Sequence, residues 1–311
     1  MRKLLFILFL FPLGLWSQQH TSYTQYTFNR FALNPAVAGL KSCGDTQLGS
    51  RRQWVGFEGA PRISFASFNT RVNKEDKYPK NFHGFGFHIM NDQSGITNIT
   101  YIKAAYAYHM KVWVNYHISF GVFVGMQSFS QSYNSITIPN KALDPAIDNE
   151  VERSFIFPDI SPGIFLYNRN FFAGLSVLQA YPAKIGAIGT SDYRLNGNYF
   201  LTTGYRVRGR KIDVIPQTMI ALAPFATPTV DMTLTLDYEH IASLSLGSKY
   251  LNSAYLAMQL HATRVITIGY AYEYALSEIV NVAPSTHEII IGITTCTTER
   301  KKTGFVCPAY N

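Results

Sequence analysis

Eight histidines and nineteen carboxylates are available for acid–base or metal chemistry in this chain of 311 residues, yet their spacing assembles no recognised constellation. Neither a His-Glu-x-x-His pair nor a Gly-x-Ser-x-Gly nucleophile elbow occurs, so hydrolytic chemistry has no local signal. His287-Glu288 opens a late apolar segment and reads as a structural hydrogen-bonding pair. A serine and a histidine on neighbouring strands, as in outer-membrane lipases, would need a spatial pairing that nothing in the sequence marks. Cys43, Cys296 and Cys307 lie in no zinc-ligand spacing. The carboxylates of Asp144, Asp148, Glu150, Glu152 and Asp159 are candidate Ca²⁺ ligands, but the turn-making glycine of a calcium loop is missing, and a solvated turn is the better reading. Gly84-Phe85-Gly86 lacks the helix and third glycine of a dinucleotide loop. The expectation is a protein that is not an enzyme and has no metal or cofactor.

Strands are what these residues have to be positioned by. Arg2-Lys3 precede an apolar run from Leu4 to Trp16 and a small Ser17, the pattern of a cleaved secretory leader over 1–17. Beyond it no apolar run reaches the roughly 18 residues of a membrane helix, so insertion would have to be through a closed barrel. Val230 to Tyr238 alternates without error, with Val230, Met232, Leu234, Leu236 and Tyr238 opposite Asp231, Thr233, Thr235 and Asp237. Ile266, Ile268, Tyr270 and Tyr272 stand opposite Thr267, Gly269, Ala271 and Glu273, with the tyrosines gathered as in an interfacial girdle. In the segment from His117 to Gln127 the small and polar set, Ser119, Gly121 and Gln127, takes the inner face. The segments around 83–89 and 288–293 alternate too, and nine further candidates lie near 45–54, 61–71, 98–109, 155–167, 170–178, 197–208, 212–223, 241–248 and 254–261. About 14 strands result, each near the roughly 9–11 residues of a tilted transmembrane strand, and an even count suits a single-chain barrel. Asn168-Arg169-Asn170 reads as a tight periplasmic turn, while Ser130–Ser154 and Tyr181–Asn196 read as long outer loops.

Composition agrees. Charged residues make up 15% of the chain and aromatic residues 14%, whereas a soluble protein carries about a quarter charged. The net charge of +8 is scattered apart from Glu299-Arg300-Lys301-Lys302, which excludes a nucleic-acid footprint. A soluble β-sandwich, propeller or lectin-like surface protein is the competing all-β reading. The organisation expected is a leader over 1–17, a periplasmic or plug segment over 18–44, an outer-membrane antiparallel β-barrel over 45–296, and a tail over 297–311. Closure of such a barrel brings Cys43, Cys296 and Cys307 to one rim, where one disulfide is possible and its pairing open.

Two stretches carry the most information. Gln25 to Gly39 has apolar residues at Tyr26, Phe28, Phe31, Leu33 and Val37, and Pro35 interrupts any helix. It reads as a packed segment that lines or plugs the lumen where the chain enters, or as a lid that only buries core. Arg51 to Arg62 is a strand end, a Gly/Pro turn and a strand start, with Trp54 and Phe57 suited either to an interface belt or to a partner's hot spot.

The run Phe28-Asn29-Arg30-Phe31-Ala32-Leu33-Asn34-Pro35-Ala36-Val37-Ala38-Gly39 and the run Arg52-Gln53-Trp54-Val55-Gly56-Phe57-Glu58-Gly59-Ala60-Pro61-Arg62 resemble the opening signature of the PorP/SprF family. Gly269-Tyr270-Ala271-Tyr272-Glu273-Tyr274 and Ser285-Thr286-His287-Glu288-Ile289 resemble its last strands. The resemblance implies an outer-membrane component of the Bacteroidetes type IX secretion and gliding-motility system. Such a component helps export, dock or anchor a secreted adhesin. Expected partners are the adhesin's C-terminal domain, periplasmic or lipoprotein components of the machinery, and outer-membrane lipid. Candidate partner-binding residues are Phe28, Asn29, Phe31, Asn34, Pro35, Trp54, Phe57, Pro61 and Arg62. The alternative is a small-solute channel of similar size with the N-terminal segment as a hatch.

Overall fold

The computed structural model describes residues 23–72, 81–113, 115–132, 152–181, 183–188, 191–195, 197–224, 226–249 and 252–295. The leader, residues 18–22, the acidic stretch Asp144–Glu150, Cys296, Cys307 and the tail lie outside them.

Sixteen strands form among the described residues. The first seven are β1 (Asp45–Arg52), β2 (Arg62–Arg71), β3 (Asn81–Ser94), β4 (Thr97–Lys111), β5 (His117–Ser132), β6 (Glu152–Tyr167) and β7 (Phe171–Leu178). A short hairpin follows, β8 (Ala183–Ile188) and β9 (Ser191–Leu195). The rest are β10 (Asn198–Tyr205), β11 (Ile212–Leu222), β12 (Thr229–Tyr238), β13 (Ala242–Lys249), β14 (Ser253–Leu260), β15 (Ile266–Ala275) and β16 (Ser285–Thr294). Fourteen of them pair antiparallel with their neighbours in a closed barrel, sealed where Asp45 of β1 lies opposite Thr294 of β16. All fourteen fall on segments read as strands or strand candidates in the sequence.

Two local differences have simple causes. The first strand stops at Arg52, because Trp54 takes a left-handed backbone (φ 50°) and turns the chain. The β8–β9 hairpin, its own two-stranded sheet, stands in the segment read as a long loop. At five and six residues its strands are too short for alternation to separate from loop.

The alternation points apolar side chains outward. Met232 is 62% exposed and Phe87 60%, while Asp231 and Ser119 are fully buried. A soluble sheet would hide the first set and expose the second, so the outer wall is suited to lipid and the polar rows face the interior. Tyr270, Tyr272 and Tyr274 stand outward on β15, where a girdle belongs. The two longest connections between barrel strands, 133–151 and 179–197, leave one rim, while the three-residue turns 168–170 and 239–241 close the other, where both barrel termini lie. No described helix is long and apolar enough to cross a membrane.

Candidate functional site

The centre of the molecule is its filled lumen. From Tyr23 to Leu40 the chain is almost wholly buried inside the barrel. Two short 3₁₀ turns fold it, Arg30–Ala32 and Pro35–Val37, and each has an asparagine before it. Asn29 Oδ1 accepts from Ala32 N (3.3 Å) and Asn34 Oδ1 from Ala36 N (2.9 Å), and Pro35 at the first position of its turn has no N–H to leave unsatisfied. Gly39, at φ +79°, then bends the chain toward β1.

The plug is held largely through its own backbone. Phe28 O accepts from Gln47 Nε2 (3.0 Å), Leu33 O from Ser176 Oγ (2.7 Å), Ala36 O from Ser119 Oγ (2.6 Å) and Ala38 O from His109 Nε2 (2.8 Å). Arg71 donates to Gly39 O and Leu40 O (3.2 and 3.1 Å), and Asn69 accepts from Gly39 N (3.1 Å). Arg30 Nη2 bonds Gln217 Oε1. Buried carbonyls need such donors, and the inward polar rows of the strands supply them. Wall glycines permit the approach: a side chain at Gly84 would overlap Ala38 O, and one at Gly121 would overlap the Pro35–Ala36 backbone.

Apolar packing follows the same axis. Toward the short-turn end, Phe31, Val37 and Leu40 pack with Phe82, Phe123, Phe165 and Phe172. Toward the long-loop end, Tyr23, Tyr26 and Leu33 pack with Phe65, Met90, Tyr101, Phe200 and Ile290. The buried Tyr26 hydroxyl finds its partner in Thr233 Oγ1 (3.1 Å).

At the long-loop end the plug begins in a ring of buried charge. Glu288 accepts from the backbone N–H of Thr24 and Gln25 (2.7 and 3.0 Å). Glu273 accepts from Thr24 Oγ1 (2.5 Å), Lys249 Nζ (2.8 Å), Ser253 Oγ (2.6 Å) and Arg51 Nη2 (3.1 Å). Arg51 Nε lies 3.8 Å from Glu288. Two carboxylates and two cations balance, which is the condition for burying them together. Deeper in the wall, Lys103 pairs with Asp159 (2.9 Å), so this acidic residue is an internal ion pair rather than part of a calcium loop. At the opposite end Asp213, Asp237 and His240 bring ligand atoms within 4.8 Å of one another. Arg206 stands 3.6 and 3.9 Å from the two carboxylates and supplies their counter-charge, so the group is an ion-pair network.

The nine candidate partner-binding residues divide between two places. Asn29, Phe31, Asn34 and Pro35 are buried in the lumen, and Phe28 is half-buried there against Gly269 and Gly292. Trp54, Phe57 and Pro61 lie on the β1–β2 turn at the long-loop rim and Arg62 opens β2 beside it, Phe57 and Arg62 exposed. The charge ring of Arg51, Lys249, Glu273 and Glu288 was not foreseen as a unit. Period two does put Glu273 and Glu288 on inward faces, where a charge must find a partner, but it cannot name the partner. Cys43 is disulfide-bonded; Cys296 and Cys307 are outside the described residues.

A family model described as type IX secretion system membrane protein PorP/SprF matches residues 16–293. No curated protein matches the chain. Among solved structures it is similar to the Ralstonia pickettii toluene transporter TbuX (11% identity, 85% of this chain and 92% of that one, TM-score 0.51). It is also similar to the CymD monoaromatic hydrocarbon channel (11% identity, 88% and 94%, TM-score 0.54). At such identity the likeness is one of barrel architecture.

Proposed function

The chain belongs to the PorP/SprF family of type IX secretion system membrane proteins, and from that premise we propose that it is a non-enzymatic outer-membrane docking component that helps export or anchor a secreted surface adhesin. The carrying observation is the plug: the lumen is occupied by the chain's own residues 23–40, tied to the wall by backbone and charge, which suits a platform better than a conduit. By the barrel rule of short periplasmic turns and long outer loops, the rim bearing 133–151, 179–197 and the Trp54–Phe57 turn faces outward. The adhesin's C-terminal domain then meets the outer rim, and periplasmic or lipoprotein machinery meets the short turns. A Bacteroidetes host, a cleaved leader and a role in gliding belong to the same reading.

Deleting the gene should remove one adhesin from the cell surface while leaving its synthesis intact, as read by surface labelling and immunoblot. An undiminished surface population would sink the docking role.

The second reading is a small-solute channel, favoured by the barrel's likeness to proteins named as a toluene transporter and a hydrocarbon channel. It requires the plug to leave or part. Purified protein in planar bilayers separates the two: a docking component conducts at background level, and steady open-channel currents with solute uptake by liposomes would favour the channel.

A further inference from the structure

We propose that the edge of β6 from Ser154 to Pro158, at the outer rim and unpaired among the described residues, receives an extended strand from the C-terminal domain of the adhesin that this barrel docks. The inference rests on the docking reading and names how the cargo is held.

β6 pairs with β5 over all sixteen of its residues but with β7 only from Gly163 to Tyr167. The direction of its remaining backbone groups follows from two contacts. Ile160 O accepts from Ala180 N (2.9 Å), and the single Nδ2 of Asn34 reaches both Ile164 O and Leu175 O (3.1 and 3.3 Å). Even-numbered residues of β6 therefore turn their N–H and C=O toward the β7 side. Pro158 and Pro162 both fall on that side, where a missing N–H costs no ladder bond to β5.

Lower on the strand this edge is closed. Pro162 has no donor, Ile160 O is occupied, and Gln179 N bonds Ser161 Oγ (3.0 Å). Gln179, at φ 58°, is fixed by Tyr101 OH (2.7 Å) and Gln127 Oε1 (2.9 Å), and past Ala180 the chain leaves the β6 ladder. Above that departure, the N–H and C=O of Ser154 and Ile156 and the C=O of Pro158 have no partner among the described residues.

These groups stand where the lipid belt ends. A tilted strand crosses with roughly 9–11 residues, and counting from Tyr167 exhausts these by about Phe157. Ile156 aligns with Ser128, Thr100 and Asn91 on the outer face of β5, β4 and β3, where Asn91 already bonds Thr100 and Asn98 side chain to side chain. The β8–β9 hairpin approaches β6 but belongs to a separate sheet. Unpaired edges in water are templates for another strand, and a protein with a folded partner uses them by strand addition.

The edge also states what it would accept. It offers two donors and three acceptors over five residues, with Ile156 (69% exposed) on one face and the stacked Phe155 and Phe157 (6.3 Å) on the other. The matching segment is extended, about five residues long, free of proline at its bonding positions, and apolar on both faces. The docking reading brings the adhesin's C-terminal domain to this rim, and these are the terms that its strand has to meet.

The test uses the full chain in its native outer membrane, with the adhesin identified as the surface protein lost on gene deletion. Ser154→Pro with Ile156→Pro removes both edge donors without touching the β5 ladder. We expect surface display to fall at least tenfold in the double variant and to stay near normal in Ile156→Ala, with folding checked by heat-modifiable gel mobility. In parallel, a benzoylphenylalanine photo-crosslinker at position 156 of the otherwise unaltered chain should yield an adduct with the adhesin's C-terminal domain. This second measurement decides the matter if the double variant misfolds. Normal display in a folded double-proline variant overturns the proposal. So does a crosslink that joins only a second copy of this chain, or no crosslink to the adhesin at all. If gene deletion itself displaces no surface protein, the docking reading has failed and takes the strand-addition proposal with it.

Discussion

Glu288 shows how much a single side chain can hold in this molecule. It is fully enclosed, anchors the start of the plug through two backbone N–H groups, and faces Arg51. Glu288→Ala should destabilise the folded barrel by about 3–5 kcal/mol, because it leaves two buried cations to share Glu273 and strands two buried donors at once. Glu288→Gln, which keeps an acceptor, should cost visibly less. Urea titration of the refolded protein in detergent, followed by tryptophan fluorescence, checks the order of the two. The wall glycines make the opposite kind of contribution, by what they leave out. Gly121→Val would push a side chain into the Pro35–Ala36 backbone, so the plug should lift from the wall while the strand persists. Faster tryptic cleavage at Arg30 in the variant, with the barrel still resistant, would show this; an unchanged cleavage rate would contradict it.

Among the elements, the barrel strands and the hairpin should respond differently to damage. The β8–β9 hairpin is a separate sheet, so replacing 183–195 by a short Gly/Ser link should leave the barrel's heat-modifiable mobility and β-type circular dichroism intact. Loss of the folded band would mean that the hairpin takes part in the barrel's stability. A barrel strand gives no such tolerance on its outer face. Leu234 lies midway along β12 and points outward, so Leu234→Arg should cost roughly 2–4 kcal/mol, the range for a cation at the bilayer midplane. The same substitution near a rim should cost far less, and equal effects at both depths would argue against a lipid-facing wall. Alternation made the fourteen barrel strands legible because each has one lipid face and one interior face, and that difference repeats every second residue. It missed the hairpin, whose strands are too short to show a period.

At the scale of the whole molecule, the closed barrel and its plug behave as one packed body, because the apolar core lies between plug and wall. Removing residues 23–40 should therefore both destabilise the barrel and open a path through it. Planar-bilayer recordings should find background conductance for the full chain and stable currents for the truncated one. Steady currents from the full chain would instead favour the solute-channel reading. The family assignment gives the barrel a place in type IX secretion, and the proposed docking role rests physically on the filled lumen.

The sequence by itself determined an all-β chain of about fourteen strands and favoured a membrane barrel over a soluble sheet. Scarce charge, absent membrane helices and period-two alternation are local properties that no tertiary contact is needed to express. The two asparagine-capped turns of the plug were also legible in principle from Asn29 and Asn34-Pro35, since a cap acts within its own few residues. Only the tertiary structure decided where those turns sit, which carboxylates hold them, and which edge of β6 stays open. Each of these depends on groups brought together from opposite ends of the chain, Thr24 with Glu288 or Ile160 with Ala180, and on the offset between β6 and β7 as the barrel closes. Periodicity records which face a residue takes, but not what it meets there.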